Sequence, residues 1–284
     1  MEKPLKKKLA NLKQLIQNLQ SVMVAYSGGV DSTLLLGIAR EVLKDKVKAI
    51  IARSLLHPAR EYESAQRIAR EIGVPCFTIH TEELKIPEFI QNHPDRCYHC
   101  KKELFTKILI FAQGMGIENV VEGTNSDDIH DFRPGMKALV ELRIRSPLKE
   151  VGLTKADIRL ISRELGLITW DKPSYSCLAS RFPYGEKINP NDLQRVEKAE
   201  GYLHQKGFRQ VRLRIHRDLV RIEVAPEEIS RFMENSLRSQ ILNHLKNIGF
   251  TYITLDLEGY RTGSMNEPVL PLDGKVKDTN LVVP

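Results

Sequence analysis

The sequence predicts an α/β protein: a doubly wound parallel sheet with a second, smaller α+β domain behind it. Strand-like apolar runs alternate with helix-patterned stretches through the first two-thirds of the 284 residues. After "PYGEKINPN" that alternation stops, and a hairpin pattern flanked by helices takes over. The polar stretches "YSGGVDS", "ARSLLHP", "IHTEE" and "EGTNSDD" each follow a strand, which is where open parallel sheets build their sites.

Taken in order, Leu9, Leu12, Leu15, Ile16 and Leu19 recur at helical spacing and predict an amphipathic helix on the domain surface. "VMVAYS" is a buried strand, followed by a helix from about Ser32 to Leu43. "VKAIIAR" is the next strand, and Glu61 to Ile72 a helix ended by Gly73. "VPCFTIH" is the third strand. A helix starts near Arg96, after "HPD", and runs to about Gly114. "NVVEGTN" is a strand ending in a polar loop, and Lys155 to Leu165 is a helix closed by Gly166. These elements make a first domain of residues 1–186. In the second, residues 187–284, Asp192 to Lys206 is helical, and "QVRLRIH" and "LVRIEVA" form a hairpin around Arg217 and Asp218. Pro226 to Ile248 is one long helix and "FTYITLDL" a final strand. The tail from Ser264 is read as loosely held.

Composition narrows the function classes. Hydrophobic residues make up 42% and charged residues 28%, as in an ordinary globular chain. No run approaches the roughly 18 apolar residues of a membrane span, and the lysine-bearing N-terminus has no apolar signal core. A cytoplasmic location without membrane contact is expected. The net charge of +7 is modest and spread out, so a small anionic molecule fits better than nucleic acid as a partner. Four cysteines in such a chain argue for metal or catalytic roles rather than a disulfide framework.

In "SGGVDS", Ser27, Gly28, Gly29, Asp31 and Ser32 turn directly from strand to helix, a layout different from the Walker loop. Glycines let backbone N–H groups approach an anion, and a helix N-terminus adds partial positive charge. Ser27 and Ser32 can donate to it. Asp31 either acts through a cation or caps the helix. "EGTNSDD" adds a second glycine loop: Gly123, with Asn125 as a nucleotide contact and Asp127 or Asp128 as a magnesium ligand, or else a solvated turn. "DRCYHCKK" puts Cys97 and Cys100 on one face of a helix's first turn, where thiol pKa is lowered. That is half a metal site, with His93 and His99 as further candidates. Cys177 lies in "WDKPSYSCLASRFPYG", an irregular segment suited to presenting it to a cleft, with Ser180 and Arg181 behind it. Cys76 lies inside an apolar strand and reads as core. Arg212, Arg214 and His216 alternate with Val211, Leu213 and Ile215 and so share a face. That face either grips a phosphate or is solvated and paired with Glu223. Glu200 and Glu223 line the cleft or a subunit contact.

With its strand and helix, the "SGGVDS" turn resembles the pyrophosphate loop of the N-type ATP pyrophosphatases, the group of GMP synthetase, NAD synthetase and the tRNA thiolases. The resemblance implies ATP and Mg2+, with Arg53 at the end of the second strand among the nucleotide-binding positions. "SGGVDST", "DRCYHCK", "EGTNSDD", "DFRPG", "SPLKEVGLTKADIR", "CLASRFPYG" and "LDLEGYRTGSMNE" together resemble the LarE family over roughly residues 5 to 270. These are ATP-dependent sulfur transferases of nickel-pincer nucleotide biosynthesis. The resemblance implies adenylation of a carboxylate of pyridinium-3,5-biscarboxylic acid mononucleotide, with Ser180, Arg181, Arg212 and Arg214 at phosphate-binding positions. In single-cysteine members the residue matching Cys177 forms a thioester and then gives up its sulfur, leaving dehydroalanine. This chain also carries Cys97 and Cys100, so it is similar to the three-cysteine branch, in which Cys97, Cys100 and Cys177 hold a 4Fe–4S cluster. One iron is then left open to carry a sulfide. The resemblance further implies a homo-oligomer, trimeric or hexameric, and a sulfide or persulfide donor. Three rival readings fit part of the chain: an iron–sulfur tRNA thiolase, an amide-forming synthetase and a non-catalytic nucleotide-binding module. No dense basic stripe supports the first, and "CYHC" with "SCLASR" is unexplained by the second.

Overall fold

The computed structural model describes residues 2–130 and 134–267; Met1, 131–133 and 268–284 lie outside the described residues, and with them most of the tail and the "DFR" of "DFRPG". The chain divides into two units, Met1–Phe89 with Asp95–Tyr175, and Ile90–Pro94 with Ser176–Pro284. Residues 176–186, expected in the first domain, count with the second unit.

In the first unit, strands Val22–Ala25 (β1), Val47–Arg53 (β2), Cys76–His80 (β3) and Val120–Val121 (β4) form a parallel sheet in the order β3-β2-β1-β4. The helices are, in order, Lys3–Asn18 (α1), Val30–Leu43 (α2), Ala59–Ile72 (α3), the short Pro87–Ile90 (α4), Arg96–Gly114 (α5), Gly135–Glu141 (α6), Pro147–Glu150 (α7) and Lys155–Glu164 (α8). β1 is paired on both edges and covered on both faces, so Val22, Met23 and Val24 are fully buried, which is why the strand reads as a continuous apolar run. Val22 and Val24 join Leu12, Ile16, Leu34, Leu35, Ile158 and Ile161 of α1, α2 and α8. Met23 and Ile50 join Phe105, Ile108 and Leu139 in the opposite layer. Each aliphatic side chain so buried contributes about 1.5–3 kcal/mol.

Two expectations change in detail. α2 starts at Val30, with Gly29 as its N-cap residue, so Asp31 sits in the first turn and does not cap the helix. "NVVEGTN" pairs over Val120–Val121 alone. Beyond them Glu122 turns its carboxylate onto the Thr124 N–H and hydroxyl, at 3.0 and 2.8 Å, and the chain leaves the sheet. α8 is opened by a reciprocal capping box between Thr154 and Asp157, as "GLTKADIR" favours.

In the second unit, Val211–His216 (β5) and Leu219–Val224 (β6) make the expected hairpin, and Tyr252–Leu255 (β7) adds parallel to β6. Leu193, Val196, Ala199 and Leu203 of Pro190–Gln205 (α9) are fully buried, as are Val211, Leu213, Val220 and Val224 of the hairpin. The helix expected from Pro226 to Ile248 is broken. Pro226–Met233 winds as a 3-10 helix, Glu234 is extended, and Asn235–Ile248 (α10) follows. Arg231 holds the tighter turn in place: it donates to the Lys206 carbonyl at 2.7 Å and stacks on Phe208. The final strand is also shorter than "FTYITLDL": it spans Tyr252–Leu255, with Phe250 buried ahead of it.

Candidate active site

The turn after β1 is built around Gly28. Its φ is +71°, and a Cβ there would stand 2.6 Å from the Cβ of Ala65 on α3, so a side chain is excluded on both conformational and steric grounds. Around it the hydroxyls of Ser27 and Ser32 bond to each other at 3.0 Å, and Ser32 Oγ also lies 3.3 Å from the Ser27 nitrogen, which donates to it. α2 then begins, and the N–H groups of its first turn have no acceptor within the helix. Positive helix end, glycine backbone and two hydroxyls converge, as an anion site requires.

The loop after β4 lies against this turn. A Cβ on Gly123 would be 3.0 Å from the Ser32 nitrogen and 3.3 Å from Asp31 Cβ, so the two loops touch backbone to backbone. Asn125 and Asp128 fold the loop on itself: Asn125 N donates to Asp128 Oδ2 and Asp127 N donates to Asn125 Oδ1, both at 2.9 Å. Asp127 Oδ2 accepts the Lys155 N–H at 2.8 Å, and the Lys155 ammonium bonds to the Asp31 carboxylate. Asp31 and Asp127 are thus gathered by a single residue beside the anion turn. Arg53 is exposed at the carboxyl end of β2, over the ring of Tyr62. On the other flank Lys172 bonds to Glu61 Oε2 at 2.8 Å and to the Gly28 carbonyl at 2.9 Å. Neither lysine was expected at the site. They lie 124 and 144 residues from their partners, and no local pattern marks them.

Cys97 and Cys100 occupy the first turn of α5, as their spacing predicts, and both are half-buried. Gly135 lets α6 press on this turn, since a Cβ there would be 3.1 Å from the Cys97 carbonyl and 2.7 Å from Lys101 Cδ. Glu141 of α6 accepts from Tyr98 at 2.9 Å and Lys102 at 2.6 Å, tying the two helices together. His99 pairs with Asp95 at 3.4 Å, and His93 belongs to the second unit. Among the described residues, no group of three or more His, Cys, Asp or Glu side chains is drawn together as metal ligands. Burial pushes the Cys76 thiol up to about 11, which keeps it protonated and fits its reading as core.

In the second unit Cys177 starts a 3-10 turn, Leu178–Arg181. Its carbonyl accepts from Ser180 Oγ at 2.9 Å and from Arg181 Nη1 at 3.2 Å. Arg181 has no exposed surface and is bidentate to Glu200, at 2.8 and 3.0 Å. Burial alone would raise the Glu200 carboxyl; the Arg181 charge and hydrogen bonds outweigh it and hold the group below its ordinary value. Arg214 is bidentate to Glu223, at 3.0 and 2.8 Å, and reaches the Ser180 carbonyl at 2.9 Å. Arg212, opposite Glu223 on the hairpin, lies under the Tyr260 ring. The shared face of Arg212 and Arg214 is therefore buried, not solvated. His216, at its end, has its pKa lowered by burial and by the Arg221 and Arg214 charges.

Residues 5–105, which carry β1, β2, β3 and the Gly28 turn, match the NAD synthase family. Over 261 residues the chain is 38% identical to the pyridinium-3,5-bisthiocarboxylic acid mononucleotide synthase of Lactiplantibacillus plantarum, covering 92% of this chain and 94% of that one. The chain belongs to the LarE family. It is accordingly an ATP-using enzyme of the pyrophosphate-loop type. An uncharacterized protein of Synechocystis is 44% identical over 262 residues, 92% of this chain and 98% of its own length. The likeness to the GMP synthase of Helicobacter pylori is more partial, 28% over 184 residues, 57% of this chain and 35% of that enzyme. No helix among the described residues of this LarE-family chain is long and apolar enough to cross a membrane.

Proposed function

We propose that this chain uses ATP to activate a carboxylate of pyridinium-3,5-biscarboxylic acid mononucleotide and puts sulfur in place of the activated oxygen, giving a thiocarboxylate. The observation that carries this is 38% identity, over nearly the full length of both chains, to a synthase of the corresponding bisthiocarboxylic product. The chemistry is sound: a carboxylate is a poor electrophile, whereas an acyl-adenylate carries a good leaving group. In this reading the pyrophosphate of ATP sits on the Ser27–Ser32 turn, with Arg53, Gly123 and Asn125 around the nucleotide. Mg2+, a hard cation that prefers carboxylate oxygens, is held by Asp31 and Asp127, which Lys155 gathers on one side of the turn. Ser180, Arg181, Arg212 and Arg214 are the residues assigned to the substrate phosphate, with Arg181 and Arg214, buried and paired with Glu200 and Glu223, building the seat from beneath. Arg181 and Arg214 both bond to Ser180, which supports a common seat.

Cys97, Cys100 and Cys177 are the residues that would hold a 4Fe–4S cluster. The helix-start position of the first two suits thiolate ligands. Such a cluster, held by three thiolates, would leave one iron open to carry sulfide, taken from sulfide itself or from a persulfide donor together with a thiol that reduces it. The competing route makes Cys177 itself the donor: its thiolate displaces AMP to give a thioester, and loss of the Cys177 Cα proton then expels the thiocarboxylate by breaking the Cβ–S bond, leaving dehydroalanine. We also expect a cytoplasmic homo-oligomer, trimeric or hexameric.

The test is oxygen-free protein with ATP, Mg2+, the biscarboxylic mononucleotide and sulfide. AMP, pyrophosphate and a product heavier by sulfur-for-oxygen exchange are expected; pyrophosphate release without any sulfur-bearing product would overturn the reading. Iron and acid-labile sulfide, lost in Cys97→Ala, would assign the cluster route. Iron-free protein whose Cys177 becomes dehydroalanine after one turnover would assign the sacrificial one.

A further inference from the structure

We propose that Lys172 is a positioning residue for adenylation: it fixes the peptide between Gly28 and Gly29 so that the Gly29 N–H faces the anion. This rests on the reading of the Ser27–Ser32 turn as the pyrophosphate seat. The Gly28 carbonyl and the Gly29 N–H belong to one trans peptide plane and must point in opposite directions. Lys172 Nζ donates to that carbonyl at 2.9 Å, which turns the N–H to the other side, toward the Ser27 and Ser32 hydroxyls. There the N–H meets Ser27 Oγ only at 3.4 Å, a long contact that a phosphate oxygen would replace with a shorter one.

Such a peptide needs a clamp. Flipping this plane changes ψ of Gly28 and carries φ of Gly29 from −79° to positive values, and glycine tolerates both changes at low cost. Rotated, it would aim a carbonyl dipole at the pyrophosphate in place of a donor. Lys172 is well placed to prevent this, because it is held at both ends. Its ammonium is braced by Glu61 Oε2 at 2.8 Å. Its main-chain carbonyl accepts from Arg159 Nη2 at 2.8 Å, while Arg159 Nη1 holds the Trp170 carbonyl at 2.7 Å. Pro173 restricts the Lys172 backbone to extended conformations. α3 supplies both Glu61 and Ala65, the residue packed on Gly28, so one helix braces the clamp and walls the turn.

The experiment uses full-length chain labelled with nitrogen-15 glycine, titrated with inorganic pyrophosphate, in wild type, Lys172→Met and Lys172→Arg. In wild type the Gly29 and Gly123 amide signals should both move. In Lys172→Met pyrophosphate should bind about tenfold more weakly, the loss expected for one charge-assisted hydrogen bond. At saturation Gly123 should still respond while the Gly29 response is lost, and Lys172→Arg should restore it. Unchanged affinity in Lys172→Met overturns the proposal. So does weaker binding with a wild-type Gly29 response, since the ammonium would then act on the anion directly. If wild type shows no response at either glycine, the pyrophosphate seat itself falls, and the proposal with it.

Discussion

Glu200→Gln tests how the segment carrying Cys177 is held. The substitution keeps the shape of the side chain, and a glutamine oxygen can still accept the Leu213 N–H that Glu200 Oε1 accepts at 3.0 Å. What it removes is the charge opposite Arg181. Arg181 is 0% and Glu200 1% exposed, so water cannot compensate the abandoned guanidinium. Breaking such a buried pair costs about 3–5 kcal/mol, a large share of the roughly 5–15 kcal/mol that holds a domain folded. The sole tryptophan, Trp170, lies in the first unit, so its fluorescence would miss the event. Hydrogen exchange read by mass spectrometry is the suitable assay. Amides of β5 and β6 should exchange about 10²- to 4×10³-fold faster in Glu200→Gln. The double variant Arg181→Met, Glu200→Gln should recover most of the protection, because the stranded charge is gone while the glutamine oxygen still accepts the Leu213 N–H. The pH dependence has a defined sign. The folded-state pKa of Glu200 is depressed, so its contribution is complete above the ordinary value of 4.5 and is lost as pH falls through the folded value. Glu200→Gln should remove that part of the acid slope. A loss of protection under tenfold, or a double variant as labile as the single one, would refute the reasoning.

Further outcomes follow from the first unit. Gly28→Ala must adopt a left-handed conformation costing about 1–2 kcal/mol and push against Ala65. Its melting temperature should fall and its ATP affinity drop at least tenfold, both measurable by calorimetry. Cys76, with its thiol pushed up to about 11, should react with iodoacetamide at pH 8 about a hundredfold more slowly than an ordinary thiol, by peptide mass spectrometry. Lys155→Met removes the ammonium that competes with a cation for Asp31. The pair is partly exposed, so the effect is small, about 1 kcal/mol or less. The magnesium concentration for half-maximal pyrophosphate release should fall a few-fold, and a rise would show that the lysine assists the cation.

Much of the first unit could be read from sequence because its signals are local. A strand covered on both faces must be apolar throughout, and β1 is; a turn that excludes side chains must carry glycine, and Gly28 does. The alternation in "VRLRIH" correctly put Arg212 and Arg214 on one face, but the burial of that face was hidden. It depends on Glu223, which pairs with Arg214, and on the Tyr260 ring that covers Arg212. Lys155 and Lys172 were illegible for a related reason, since their meaning lies in partners more than a hundred residues away. The break at Glu234 escaped the helical pattern because Arg231, by gripping the end of α9, decides it.

The bonds that fix Cys177 fall on its main-chain carbonyl, offered to Ser180 and Arg181. Chemistry at the sulfur therefore leaves this scaffolding untouched. A molecule that had surrendered its thiol would still offer that carbonyl to Ser180 and Arg181, so the turn would keep both holds around a Cα made planar. Telling a used copy from a fresh one would then take a chemical probe for the side chain.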